Sequence, residues 1–199
     1  LRQNQEMLTE SDELQPISLY SETKVNSEKI LLNELPELST VVLRASTAYG
    51  MASRIRFDLL LHQFIYEAWE KKRISLYGAN SWRPMVHVDD IAMAIVLVLT
   101  QHDKMKKKDV FNVGSNDQNF KKINLAKMVS ERFDAEISEI KSQNDPRDYK
   151  VSFDKIKSEL NYYTTHKPQE SIEQIASALE SGLINNRILH ESVNIKPEN

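Results

Sequence analysis

Cysteine is absent from this chain and glycine nearly so, with four glycines in 199 residues, at positions 50, 78, 114 and 182. Without cysteine there are no disulfides, no thiolate metal ligands and no thiol nucleophile. A reducing compartment suits such a sequence. Glycines this far apart build no phosphate-cradling loop of the G-x-G-x-x-G kind. No apolar run approaches a membrane span, and the opening residues contain no signal-peptide core, so a cytoplasmic location is expected. Charge of one sign is lacking too. Against 29 Asp and Glu stand 26 Lys and Arg, a net charge of −3, without the basic footprint that nucleic-acid binding requires. The short Lys104–Lys108 cluster lies between apolar segments and reads as a solvated turn rather than an anion site.

What is present is globular, 40% hydrophobic and 28% charged, enough for one good core or for a domain plus part of another. Residues 1–15 are polar and without period. Pro16 and Ser18 then open a helix whose face Tyr20, Lys24, Ser27, Glu28, Leu31 and Leu35 runs until Pro36. Thr40–Arg44 reads as a buried strand. Phe57, Leu60, Leu61, Phe64, Ile65, Ala68 and Trp69 fall on one apolar helix face. Short strands follow at Ile74–Tyr77 and Val86–Val88, separated by a turn at Gly78–Ser81. Asp89 or Asp90 is expected to cap a helix over Ile91–Leu99. Asp109–Val113 is a further strand and Glu136–Ile140 a half-exposed one. Helices are expected at Ile123–Phe133, Phe153–Leu160 and Glu170–Leu183, with Glu191–Asn199 frayed. Strands alternating with helices imply an α/β fold with a largely parallel sheet.

The residues with chemistry to offer begin with Tyr20 and Lys24. On a helix, positions i and i+4 share a face, so the phenol and the ammonium can enter one cleft. A phenol is a weak base at neutral pH. An ammonium about 4 Å away, at an effective dielectric of ~20, favours its ionised form by roughly 4 kcal/mol, with burial acting the other way. Such a pair can exchange a proton with a sugar hydroxyl. By spacing alone, a surface Tyr beside a Lys is the commoner meaning. His87 lies between two valines with no ligand-spaced companion, and reads as a satisfied structural histidine; no metal site is expected. Asp90 reads as a helix cap and domain tie, and Asp58 as a residue that favours its helix dipole.

The string Pro16-Ile-Ser-Leu-Tyr-Ser-Glu-Thr-Lys24 resembles the Tyr-x-x-x-Lys site of the short-chain dehydrogenase/reductases. Its surroundings are similar to the extended, nucleotide-sugar branch, the NAD-dependent epimerase/dehydratase family. The matching segments are Thr9-Glu10 and Glu28, Leu43-Arg44 with Ala48-Tyr49-Gly50, Trp82-Arg-Pro-Met-Val-His-Val-Asp-Asp90, Phe111-Asn-Val-Gly114, and Asp145-Pro-Arg-Asp-Tyr149 with Val151-Ser-Phe-Asp154. Ordered matches over almost the whole chain are far more specific than any one of them.

The resemblance implies the C-terminal part of a doubly wound (Rossmann) parallel sheet plus a small mixed α/β substrate-binding domain. Residues 1–50 and 84–114 would belong to the first, and 51–83 and 115–199 to the second. The chain opens on Leu1 and reads as mid-protein sequence, so the cofactor-binding half and the Ser/Thr partner of the site are expected upstream. In such enzymes the Tyr exchanges a proton with the sugar hydroxyl and the Lys binds the nicotinamide ribose, roles carried here to Tyr20 and Lys24. The cofactor would be NAD or NADP and the substrate a nucleoside-diphosphate sugar. Arg83 and Arg147 are placed on the diphosphate, which guanidinium groups suit. Their acidic neighbours Asp89, Asp90, Asp145 and Asp148 offer the competing explanation of plain salt bridges. Arg56 is a further candidate for the phosphates. Thr47 and His62 stand near the nicotinamide, sugar and nucleotide where many members carry Asn. The helix of Tyr20 would also form a homodimer surface. The expected reaction passes through a 4-keto sugar, with epimerisation first and 4,6-dehydration or 4-ketoreduction as alternatives. A non-catalytic dinucleotide-binding sensor or an inert fragment is the competing class.

Overall fold

A computed structural model of the chain describes residues 6–140, 145 and 147–184; the segment expected to fray, Glu191–Asn199, lies outside them. Helix α1 spans Leu19–Lys29 and starts where expected. Ser18 caps it reciprocally with Ser21: the Ser21 N–H donates to the Ser18 hydroxyl, and the Ser18 N–H to that of Ser21, which satisfies amides the helix itself cannot. The last turn widens into a π-helical segment, Ile30–Glu34. The Lys108 ammonium closes its end by donating to the carbonyls of Leu31 and Leu35, at 2.6 and 2.7 Å. Lys108, expected in a solvated turn, is therefore a structural cap.

Strands β1 (Thr40–Ala45) and β5 (Lys108–Val113) pair in parallel. The short strand β2 (Thr47–Tyr49) pairs in parallel with β4 (Trp82–His87), and β4 pairs antiparallel with β6 (Asn119–Lys121). Strand β3 (Arg73–Tyr77) pairs in parallel with β7 (Glu136–Ile140). Parallel neighbours cannot be joined by a hairpin, and here helices intervene. They are α2 (Leu60–Lys71), α3 (Val88–Gln101), α4 (Lys122–Phe133), α5 (Asp154–Leu160) and α6 (Pro168–Glu180).

Two apolar clusters hold these elements. In the larger, Leu61, Phe64, Ile65 and Ala68 of α2 meet Leu125 and Val129 of α4, Ile172 and Ile175 of α6, and Ile74 and Leu76 of β3. The apolar face read from the sequence is thus the buried one, each large side chain contributing ~1.5–3 kcal/mol. Phe57 is buried from the loop before α2, not from the helix itself. The second cluster joins Val86 of β4, Ala94 and Val98 of α3, and Phe111 and Val113 of β5. To these it adds Phe153, Ile156, Leu160 and Tyr162, so α5 packs on β5 although it follows residue 115.

The expected cap of α3 is corrected. His87, not Asp89 or Asp90, is the cap: its Nδ1 accepts the Asp89 N–H at 3.1 Å. An unprotonated imidazole nitrogen is as good an acceptor there as a carboxylate. Asp90 is released for its other expected role. It is buried in the first turn of α3 and accepts from the Thr165 N–H and hydroxyl, at 2.9 and 3.0 Å, and from the His166 N–H. That fastens the strand-like segment before α6 to the start of α3.

Candidate active site

Tyr20 and Lys24 lie on one face of α1, as the spacing requires. The Lys24 ammonium stands 5.6 Å from the centroid of the Tyr20 ring. Tyr20 is 71% exposed, and α1 buries none of its residues. The helix is fastened at its other end: Arg44 of β1 donates through Nε and Nη2 to both oxygens of Glu28, and through Nη1 to the Glu10 carbonyl. This bidentate pair explains the Glu28 and Arg44 of the sequence motif as a clamp that sets the angle of the Tyr20 helix on β1.

The turn after β2 is held by two histidines. Gly50 has φ +118°, and a Cβ there would come within 2.4 Å of His87 Nε2. Only glycine fits. Its N–H donates to His62 Nε2 at 3.1 Å, and His62 Nδ1 lies 3.0 Å from the Arg56 carbonyl. These two contacts fix the tautomer, with the proton on Nδ1. His62, only 3% exposed, has no nitrogen left for a ligand; it shapes the 50–56 loop instead. An Asn side chain offers the same acceptor and donor. Burial pushes the His62 imidazole below its ordinary value, against the Arg56 carbonyl and Asp58. Arg56 is exposed and closed on itself in a fork with Asp58. Its guanidinium is held charged first by that hydrogen bond and then by the Asp58 charge. Thr47 opens β2, half-buried and opposite Met85.

Arg83 and Arg147 are brought together by one carboxylate. Arg83 is 6% exposed and donates Nη2 to Asp145 Oδ2 at 2.6 Å. The Arg147 N–H donates to Asp145 Oδ1 at 3.0 Å, and its Nε lies 3.5 Å from the same oxygen. Of the four acidic neighbours, Asp145 is therefore the partner of Arg83. Sequence reasoning missed Lys122, which donates to Asp145 Oδ2 at 3.2 Å and is equally buried. Burial works to raise the Asp145 carboxyl, but the Arg147 N–H, the Arg83 charge and the bonds from Lys122 and Arg83 bring it down to about 2.

Among the described residues, one group has metal-ligand character. His87, Asp89 and His166 bring donor atoms within 4.8 Å of one another. The two rings stack at 4.1 Å with planes 14° apart, so their in-plane lone pairs run side by side instead of converging on an ion. His87 Nδ1 is already occupied by the cap. The expectation of a satisfied histidine is half met, since the buried Nε2 has no partner among the described residues. A cavity of about 470 Å³ is lined by Thr9, Glu10, Asn33, Lys108, Asp109 and Lys155. It contains none of the candidate residues, and its Lys155 is paired with Asp109.

The fold defines an α/β protein with parallel strands, of the Rossmann-like kind. The architecture matches DesIV, a dTDP-glucose 4,6-dehydratase from Streptomyces venezuelae solved with NAD, at TM-score 0.78 and 19% identity over 93% of this chain and 58% of that one. It matches the UDP-glucuronic acid 4-epimerase of Bacillus cereus, solved with UDP-glucuronic acid and NAD, at 0.75 and 22% over 89% and 57%. RMD from Pseudomonas aeruginosa, complexed with NADPH, matches at 0.74 and 17% over 86% and 59%. The chain spans less than two thirds of the length of each. The sequence profile of the NAD dependent epimerase/dehydratase family matches residues 2–114, and the chain belongs to that family.

Proposed function

We propose that this chain carries the proton-transfer and substrate-holding parts of an enzyme that modifies a nucleoside-diphosphate sugar through a 4-keto intermediate, with epimerisation as the preferred outcome. The observation that carries the reading is the Tyr20–Lys24 pair, one turn apart on an exposed helix face with the ammonium 5.6 Å from the phenol ring. Tyr20 takes the proton from the sugar hydroxyl and returns it. Lys24, beside the phenol on the same helix face, is placed for the nicotinamide ribose. Arg83 and Arg147 hold the diphosphate, and the His62-braced loop sets the floor beside Thr47. A sensor that only bound a dinucleotide would have no use for the Tyr20 phenol as a proton-transfer group.

The residues present fit one end of a nicotinamide cofactor, NAD or NADP. Tyr20 and Lys24 face outward for its ribose, while none of the four glycines sits in a phosphate-cradling pattern. When bound, that cofactor supplies reversible hydride acceptance. In this reading residues 1–50 and 84–114, together with α5 packed on β5, belong to the cofactor side, and 51–83 with the rest of 115–199 to the sugar side. The exposed α1 is also assigned to a homodimer contact, which sedimentation of the native enzyme checks.

Turnover is the test. In the native enzyme Tyr20→Phe lowers turnover by about 10²–10⁴ and leaves nucleotide-sugar binding in place, as measured by isothermal titration. Unchanged turnover overturns the assignment.

A further inference from the structure

The Asp145 cluster has more positive charge than the chain neutralises. Arg83, Lys122 and Arg147 surround a single carboxylate. Arg83 and Lys122 are each only 6% exposed, and both use the same Asp145 oxygen. A buried cation is costly unless paired; the two buried ones, Arg83 and Lys122, share a single Asp145 oxygen, the exposed Arg147 adds a third cation, and Asp148 nearby accepts the Trp82 N–H. Lys122 adds to the imbalance by standing at the first position of α4, where the helix dipole repels a cation. The field reaches further. The Lys121 and Lys150 ammonium groups lie over the Trp82 ring, 5.6 and 5.2 Å from its centroid. This concentration occurs on a chain whose formal net charge is −3. Burial pulls the Lys122 ammonium down, and of the charged groups acting on it Asp145 alone supports it while Arg83 and Arg147 oppose it. A lysine kept in such a place is costly to the empty site and useful to one holding an anion.

We propose that Lys122 is a third phosphate-binding residue, which with Arg83 and Arg147 takes both phosphates of a nucleoside diphosphate, Asp145 being the counter-ion that holds the three cations together when no ligand is bound. The inference rests on the nucleotide-sugar reading and gives it a specific content. Lys122 distinguishes two phosphates from one. An ammonium has three donors; one is spent on Asp145, and the others are available to oxygens that a monophosphate does not possess. Asp145 competes with the ligand for the same cations. Removing its charge strengthens anion binding, the reverse of what loss of a merely structural salt bridge would do.

The test uses the chain itself, titrated calorimetrically with UDP, UMP and inorganic pyrophosphate. Lys122→Gln weakens UDP and pyrophosphate by about tenfold, the worth of one charge-assisted hydrogen bond, and UMP by no more than about twofold. Lys122→Arg, which keeps the charge, restores UDP binding. Asp145→Asn raises pyrophosphate affinity, with a thermal melt to show that the variant is folded. Equal UDP affinity in wild type and Lys122→Gln overturns the inference and leaves the nucleotide-sugar reading standing. Lys122-dependent pyrophosphate binding that UDP does not improve upon keeps the anion site and overturns the reading of its ligand. No binding by any of the three overturns both. Weaker pyrophosphate binding by a folded Asp145→Asn overturns the counter-ion role.

Discussion

Two regions of the molecule are closed to different degrees. Around Gly50, His62, Arg83 and Asp145, the chain's own residues supply the partners, and the side chains that matter are nearly all buried. On α1 and α3 the opposite holds. Leu19 is 76% exposed, Tyr20 71% and Leu99 71%, and Met93, Ile95 and Val96 extend the open apolar face of α3. Among the described residues β1 pairs with β5 alone, which leaves its other edge open. Helices with an apolar face bury it against another element; α3 buries Ala94 and Val98 in the second cluster but leaves Met93, Ile95, Val96 and Leu99 exposed, and α1 buries no residue among the described ones. The region around Arg83 and Asp145 is therefore partnered from within the chain. The region of α1 carries Tyr20 and Lys24 on an exposed surface.

The sharpest way to break this comparison is at Gly50. Alanine there requires a left-handed backbone that side chains resist and a Cβ 2.4 Å from a buried ring nitrogen. His87 cannot give way, because it caps α3 and stacks on His166. Gly50→Ala should cost more than about 3 kcal/mol of stability, adding backbone strain to overpacking. A denaturant melt within about 1 kcal/mol of wild type would mean that the turn is not held as described.

A smaller and more selective effect concerns pH. Burial lowers the affinity of His62 for a proton below the ordinary imidazole value of 6.5. The unfolded chain therefore takes up a proton that the folded chain refuses. The neutral-state contribution of His62 is complete above the unfolded value and is lost as pH falls through the depressed folded one. The charged and titratable groups acting on the ring are Asp58, which opposes the shift, and His87, which adds to it. His62→Asn keeps an acceptor for the Gly50 N–H and a donor for the Arg56 carbonyl, but does not titrate. The fall in Tm between about pH 7 and about pH 5 should be shallower in this variant. An identical slope would remove His62 from the account.

Much of this was legible in the sequence, and the failures share a cause. The α2 face could be read because helical periodicity is a local property, and Ser18 and Glu28 because capping and motif spacing are local too. Strands β2 and β6, of three residues each, are too short to show alternation and exist because β4 lies between them. The α3 cap was read as aspartate because composition favours it; His87 does the work through a ring orientation that no spacing reveals. Arg83 and Arg147 came from the motif, but their meeting depends on Asp145, 62 residues beyond Arg83. Lys122, beside Lys121 at the start of an apolar helix, looks like any solvated lysine until Arg83 of β4 and Asp145 close over it. The position of His62 was visible in the sequence. Its two backbone partners were not, since both belong to the loop it braces.

The smallest predicted effect tests the open side. Leu99 projects from α3 near its C-terminal end, in a row with Ile95 and Val96, and loses little solvent contact on folding. The transfer free energy that makes a buried leucine worth ~1.5–3 kcal/mol is gained only when area leaves water. Leu99→Gln should therefore shift the stability of this chain by no more than about 0.5 kcal/mol, as read from a urea melt with an unchanged m-value. The same substitution at buried Ile65 should cost several times as much, since it opens the larger cluster and strands an amide there. If Leu99→Gln instead cost more than about 1 kcal/mol, residues of the chain would be covering α3 after all. The contrast between an internally partnered region around Asp145 and the open faces of α1 and α3 would then be wrong at the point where it is most easily measured.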